Sequence, residues 1–199
     1  MSYIIGSYNI REFSRDSISK KDIETISDII LGESMDIVAI QEVYSNGKAI
    51  GSEELGKYKS LLSYLGSNWS YSIKNPSSHQ VGGKQEEYVF LWNNRKFILD
   101  SDDIQNNKRY DMYRYPYYAR FFPKDNPAME LRLICIHTKA SGGREYIENE
   151  INTVLSKVFP RISTKRYGDN RTAYTIVLGD YNASIKCENP NLENKSNIN

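Results

Sequence analysis

Cysteine, surplus charge and long apolar runs are all scarce in this chain of 199 residues, and each scarcity removes a class of protein. Two cysteines, Cys135 and Cys187, argue against a disulfide-stapled scaffold, so stability has to come from a packed core. With 26 basic against 25 acidic residues the net charge is only +1, and a binder that gathers polyanions through a global field is excluded. The longest apolar runs, such as Ile4-Ile5 and Phe90-Leu91-Trp92, fall far short of the roughly 20 residues a membrane span needs, and no membrane partner is expected. The start of the chain has neither a basic n-region nor a long apolar stretch, so no secretory signal is read; a cytoplasmic protein and a secreted one whose signal has been removed stay equally open.

What is present is ample for one domain, since hydrophobic residues make up 39% of the chain. Residues 1–187 read as a single α/β domain, and 188–199 as a polar, disordered tail. Strands are predicted at Tyr3–Ile10, Asp36–Ile40, Trp69–Ile73, Tyr88–Trp92, Pro116–Phe122, Leu131–Ile136 and Thr175–Leu178. Ser19-Lys-Lys-Asp22 resembles a capping box, with Ile23, Ile26 and Ile30 following at helical spacing. Further helices are predicted over Ser52–Leu65 and over Tyr146–Val158, the latter with Ile147, Ile151, Val154, Leu155 and Val158 on one face. Between Lys74 and Gln85 lies a Gly- and Ser-rich loop set against a strand, a common position for function.

Four predicted strands end in ionisable or amide side chains: Asn9, Glu42, His137, and Asp180 with Asn182. Singly each has an ordinary explanation, as a turn residue, a solvated strand-end charge, a satisfied histidine or an Asx turn. Together they suit one chemistry. A hard divalent cation needs oxygen ligands, and Mg²⁺ commonly takes one or two carboxylates while keeping waters and substrate phosphate, a set that Glu42 and Asp180 can supply. Asn9 or Asn182 can hold a phosphate oxygen or a nucleophile without adding repulsive charge, and His137 can move a proton during P–O cleavage. Metal-assisted phosphodiester hydrolysis is therefore the reaction class that fits.

The same residues, in order, resemble the endonuclease/exonuclease/phosphatase superfamily and within it the deoxyribonuclease I-like branch. Ser7-Tyr-Asn-Ile-Arg11, Ile40-Gln-Glu-Val43, Glu86-Glu-Tyr-Val-Phe-Leu91, Arg114-Tyr-Pro-Tyr-Tyr-Ala-Arg-Phe121, Ile136-His-Thr138 and Gly179-Asp-Tyr-Asn-Ala183 are each similar to a family motif. The resemblance implies a four-layer α/β/β/α sandwich of two sheets flanked by helices. It implies Glu42, Asn9 and Asp180 at a Mg²⁺ site that Mn²⁺ or Ca²⁺ can also fill, and His137 oriented by Glu86. Asp180 and Asn182 then act around an in-line attack, Arg11 and Arg114 sit on substrate phosphates, and DNA, most simply double-stranded, is the partner. The chain departs from the family in lacking the closing Asp-His pair, and nothing around His79 resembles it. The expectation is a nuclease represented by an incomplete chain; a piece completed by another chain or segment, a relative that binds without turnover, and a phosphodiesterase acting on a lipid or inositol phosphate are the alternatives.

Lys84, in the Gly-rich loop, and Lys108, Arg109, Arg114, Arg120 and Lys124, among tyrosines, make the best local basic patch. Such a patch follows a nucleic-acid backbone or is simply a solvated surface. Of the 16 tyrosines, Tyr110, Tyr113, Tyr115, Tyr117 and Tyr118 crowd one segment, where stacking on bases and packing on a sheet are both open roles.

Overall fold

A computed structural model describes residues 2–13, 22–44, 48–51, 60–75, 86–103, 110, 112–139, 141, 143–168 and 170–183. In chain order these hold β1 (Ile5–Phe13), α1 (Ile23–Gly32), β2 (Ile37–Val43), α2 (Lys48–Gly51), α3 (Leu61–Leu65), β3 (Trp69–Lys74), β4 (Glu87–Asn93) and β5 (Phe97–Asp103). Then follow β6 (Tyr117–Pro123), β7 (Met129–His137), α4 (Gly143–Thr153), a π-helical turn at Val154–Val158, α5 (Phe159–Ser163) and β8 (Thr172–Asp180). The strands form two four-stranded sheets, ordered β1-β2-β4-β3 and β5-β6-β7-β8.

Alternation along the strands builds the layers. In β6, Tyr117, Ala119 and Phe121 point between the sheets and meet Ile37, Ala39, Phe90 and Trp92 of the other sheet, while Tyr118 faces the helices. The outer face of the first sheet, Val38, Ile40, Val89 and Leu91, is covered by α1 and α3 through Ile23, Ile26, Ile30, Leu61 and Leu65. The outer face of the second, Tyr118, Ile134 and Ile136, is covered by Val154, Val158 and Ile162. The result is the expected four-layer α/β/β/α sandwich. Among the described residues no helix is long and apolar enough to cross a membrane.

Several local expectations are corrected. Asp22 is the N-cap of α1, accepting from Thr25 N–H at 2.9 Å, rather than the fourth residue of a capping box begun at Ser19, which lies outside the described residues. Leu155 is 53% exposed, because the buried face runs through Val154, Val158 and Ile162 at four-residue steps across the π turn. Strand β5 is missing from the sequence reading: its end, Asp-Ser-Asp-Asp, has low strand propensity and is held by pairing to β6. Arg120 leaves the basic patch altogether. It is buried under the Tyr167 ring, where Nε donates to Glu130 Oε2 at 2.6 Å and Nη1 to Asp100 Oδ2 at 3.0 Å.

Candidate active site

Topology gathers the chemistry at one end of the sandwich. Strands β1 and β2 run parallel with Asn9 opposite Gln41, and β7 and β8 run parallel with His137 opposite Asp180, so four strands finish side by side. The antiparallel strand β4 begins there, immediately after Glu86, and Arg114 lies just before β6. The pairing registers of β1 with β2 and of β2 with β4 both slip at this end, beyond Asn9 and beyond Ile40. Among the described residues, four of the six non-glycine positions with positive φ sit here as well: Arg11 (48°), Glu12 (51°), Glu42 (59°) and Asn182 (45°). Strain of this kind costs about 1–3 kcal/mol per residue and persists only where the surroundings impose it. Here it aims backbone N–H groups at side chains: Arg11 N donates to Asn9 Oδ1 at 2.9 Å and Glu12 N to Glu42 Oε2 at 3.1 Å.

The centre is a single amide shared by two carboxylates. Asn9 Nδ2 donates to Glu42 Oε1 at 2.9 Å and to Asp180 Oδ2 at 2.8 Å, tying one sheet to the other. Burial alone would raise the Asp180 carboxyl. The hydrogen bonds from Asn9 and from Asn182 N–H, with the charges of His137 and Arg114, outweigh it and hold the group below its ordinary value. Next to this pair lies a nearly dry triad: Glu86 Oε1 meets His137 Nδ1 at 2.6 Å and Glu86 Oε2 takes Arg114 Nε at 2.5 Å, with Glu86 only 4% and His137 6% exposed. A carboxylate at Nδ1 makes that nitrogen the donor and leaves Nε2 facing the site, 3.8 Å from Glu42 Oε1. Arg114 Nη1 is buried with no hydrogen-bond partner among the described residues. Such an orphaned charged donor fits an anionic ligand.

The donor set also fits a hard cation. Two carboxylates converge on one nitrogen, and the Tyr44 phenol is pushed up to about 12 by burial and by the negative charges of Glu86 and Glu42. Among the described residues no three or more His, Cys, Asp or Glu side chains are grouped around a common point. A cleft of about 730 Å³ opens beside Asn9 and Asp180, lined also by Ser7, Gln41, Ile151 and Asn182.

Asn9, Glu42, Glu86, Arg114, His137, Asp180 and Asn182 thus stand together, and Arg11 is exposed at the rim. Lys84, Lys108, Arg109, His79 and Cys187 lie outside the described residues. Three features escape the sequence reading. Gly179, at φ +139°, passes so close to β7 that a Cβ would lie 1.9 Å from Ile136 O. Thr138 accepts Asn182 Nδ2 on its carbonyl at 2.8 Å. Glu150 is a buried carboxylate on α4, and its position on the apolar face three residues after Ile147 was the available signal.

A four-layer sandwich with an acid–amide–histidine site at one end of both sheets defines the class. No family model matches the sequence, and no curated protein matches it; the likeness is one of fold. The chain is similar to a mannosyl-6-phosphatase from Bacteroides thetaiotaomicron, with 18% identity and a TM-score of 0.61 over 91% of this chain and 66% of that one. It is similar to an endonuclease/exonuclease/phosphatase family protein from the same organism, with 17% identity and a TM-score of 0.63 over 94% and 66%. It is also similar to TDP2 from Caenorhabditis elegans, with 18% identity and a TM-score of 0.59 over 89% and 47%. The chain thus spans no more than 66% of the length of these structures, and its fold is that of the endonuclease/exonuclease/phosphatase proteins.

Proposed function

We propose that the chain is the catalytic part of a divalent-metal-dependent phosphodiesterase that hydrolyses the backbone of DNA. The observation that carries this reading is the Asn9 amide bridging Glu42 and Asp180 beside the Glu86–His137–Arg114 triad. Glu42 and Asp180 would hold the cation, which when bound would supply charge neutralisation for the phosphoryl group. Arg114 Nη1 and Asn182 orient the phosphate, the former as a positive donor already held in place by Glu86. His137, its Nδ1 fixed on Glu86, moves a proton at Nε2 as water replaces the leaving oxygen. Mg²⁺ is the natural cation for a two-carboxylate site, with Mn²⁺ or Ca²⁺ as substitutes.

Incubation of the full chain with supercoiled plasmid and Mg²⁺ is expected to yield nicked circles, and EDTA to abolish them. Failure to act on both plasmid and bis(p-nitrophenyl) phosphate, with Mg²⁺ or Mn²⁺, would sink the phosphodiesterase reading. The likeness to a mannosyl-6-phosphatase favours a second reading, a phosphomonoesterase. Release of phosphate from a sugar phosphate without nicking would select it.

A further inference from the structure

Helix α4 turns Ile147 and Glu150 into the protein, three residues apart on one face. An apolar residue is the expected occupant of such a position, since a carboxylate at 3% exposure is costly unless both oxygens are satisfied. Both are satisfied, each by a different loop: Oε1 accepts the Tyr113 backbone N–H at 2.8 Å, and Oε2 accepts the Lys139 backbone N–H at 3.0 Å. The first loop leads into β6 and carries Arg114, the next residue. The second leaves β7 directly after His137, the strand's last residue, and carries Thr138, whose carbonyl holds the Asn182 amide. The loops also meet across the Tyr113 ring, with the Lys139 ammonium 4.5 Å and the Arg114 guanidinium 5.1 Å from its centroid.

We infer that Glu150 is a positioning residue for the site: it clasps the two loops and so sets the spacing of Arg114 from His137 and Asn182. The inference rests on the phosphoester-hydrolase reading of that site. Among the described residues the Glu150 carboxylate accepts its two hydrogen bonds from backbone amides, so it is assigned no catalytic role itself. The clasp needs a side chain with two acceptors and no donor, and hydrogen bonds to an ionised acceptor are about twice as strong as neutral ones. Glutamine has the same length and helix preference but turns an NH₂ group toward one of the two amides. Glu150→Gln therefore separates acceptor count from packing.

The test compares wild type, Glu150→Gln, Glu150→Ala, Arg114→Ala and the Glu150→Gln/Arg114→Ala pair. Hydrogen exchange is resolved at residues 113 and 139, and kcat/KM is measured on bis(p-nitrophenyl) phosphate with Mg²⁺. Glu150→Gln is expected to speed exchange at one or both amides while the rest of α4 stays protected. It is expected to lower kcat/KM by about 10- to 100-fold, the scale set by ångström-size misplacement of a catalytic group. Because the clasp acts partly through Arg114, the double variant should lose less than the product of the single losses. Unchanged exchange at both amides overturns the clasp, as does wild-type kcat/KM per folded molecule in Glu150→Gln or a fully multiplicative double variant. Should Glu150→Ala fail to fold, Glu150→Gln alone decides. Wild-type protein without turnover overturns the functional reading itself, and the positioning role falls with it; that outcome is distinct from an active wild type beside an undiminished variant.

Discussion

The two long edges of the sandwich use one device for opposite ends. At the edge made by β3 and β5, Asp102 accepts from Ser72, from Tyr117 at 2.9 Å and from Lys74 at 3.1 Å, so a single carboxylate stitches the sheets together. At the edge made by β1 and β8 the stitch is reversed. One amide, Asn9, serves two carboxylates, Glu42 and Asp180. Acceptors are saturated by donors at the first edge, whereas at the second oxygen lone pairs outnumber donors and a cleft lies alongside. Whether a cross-sheet carboxylate keeps lone pairs free for a ligand thus depends on that local balance, which can be read from donors and acceptors alone.

The largest expected effect separates the two edges by function. Glu42→Ala or Asp180→Ala is expected to lower Mg²⁺-dependent phosphodiester turnover by about 1,000-fold, as loss of several kcal/mol of transition-state stabilisation requires. Asp102→Ala leaves turnover per folded molecule near wild type. Calorimetry adds an independent check: Mg²⁺ binding weakens in the first two variants and is retained in His137→Ala and Asp102→Ala. Equal Mg²⁺ binding in Asp180→Ala and Asp102→Ala would erase the distinction between the edges.

Next in size is a backbone effect at the open edge. Gly179 holds φ at +139°, and an added Cβ would meet the Ile136 carbonyl of β7, which cannot swing aside as a side chain does. Gly179→Ala should therefore destabilise the fold by about 3 kcal/mol, combining backbone strain with overpacking, seen as a lower urea midpoint at unchanged slope. A midpoint within experimental error of wild type would mean that β8 can move away from β7 without cost. The closed edge offers no counterpart, since neither β3 nor β5 contains a glycine.

Legibility in the sequence follows the same division. Glu42 and His137 stand out because each closes an apolar run, and a run that is buried on both faces announces its own end, whereas Asn9 and Asp180 lie on the more exposed strands β1 and β8. Arg114 and Glu86 are legible only through resemblance, because their pairing spans 28 positions and no local pattern encodes it. The closed edge is hidden for a related reason. Ser72 looks like an exposed alternation residue and Asp102 like part of an acidic loop, yet β5 forms because β6 offers it a partner. Glu150 is the intermediate case, visible as a charge on an apolar stripe but without any sign of the two amides it meets.

The smallest expected effect is on stability at the closed edge. Asp102→Ala removes one of the two acceptors of the fully buried Tyr117 hydroxyl, which keeps Ser72 Oγ at 2.8 Å, and should cost about 1 kcal/mol, the net worth of a hydrogen bond. Acid should reproduce part of that loss in wild type. Burial acts to raise the Asp102 carboxyl, but the hydrogen bonds from Ser72, Tyr117 and Lys74 outweigh it and leave the group below its ordinary value. A carboxyl depressed in the folded state binds its proton more readily when unfolded, so the stability it lends is complete above the unfolded value of about 4 and drains away as the pH falls through the lower folded one. Asp180 has the same sign, and its substitution should remove a separate part of the acid dependence. Urea midpoints measured from pH 6 downward should therefore fall less steeply for Asp102→Asn than for wild type, with the curves converging at the acid end; parallel curves would show that Asp102 is not the group whose protonation opens this edge.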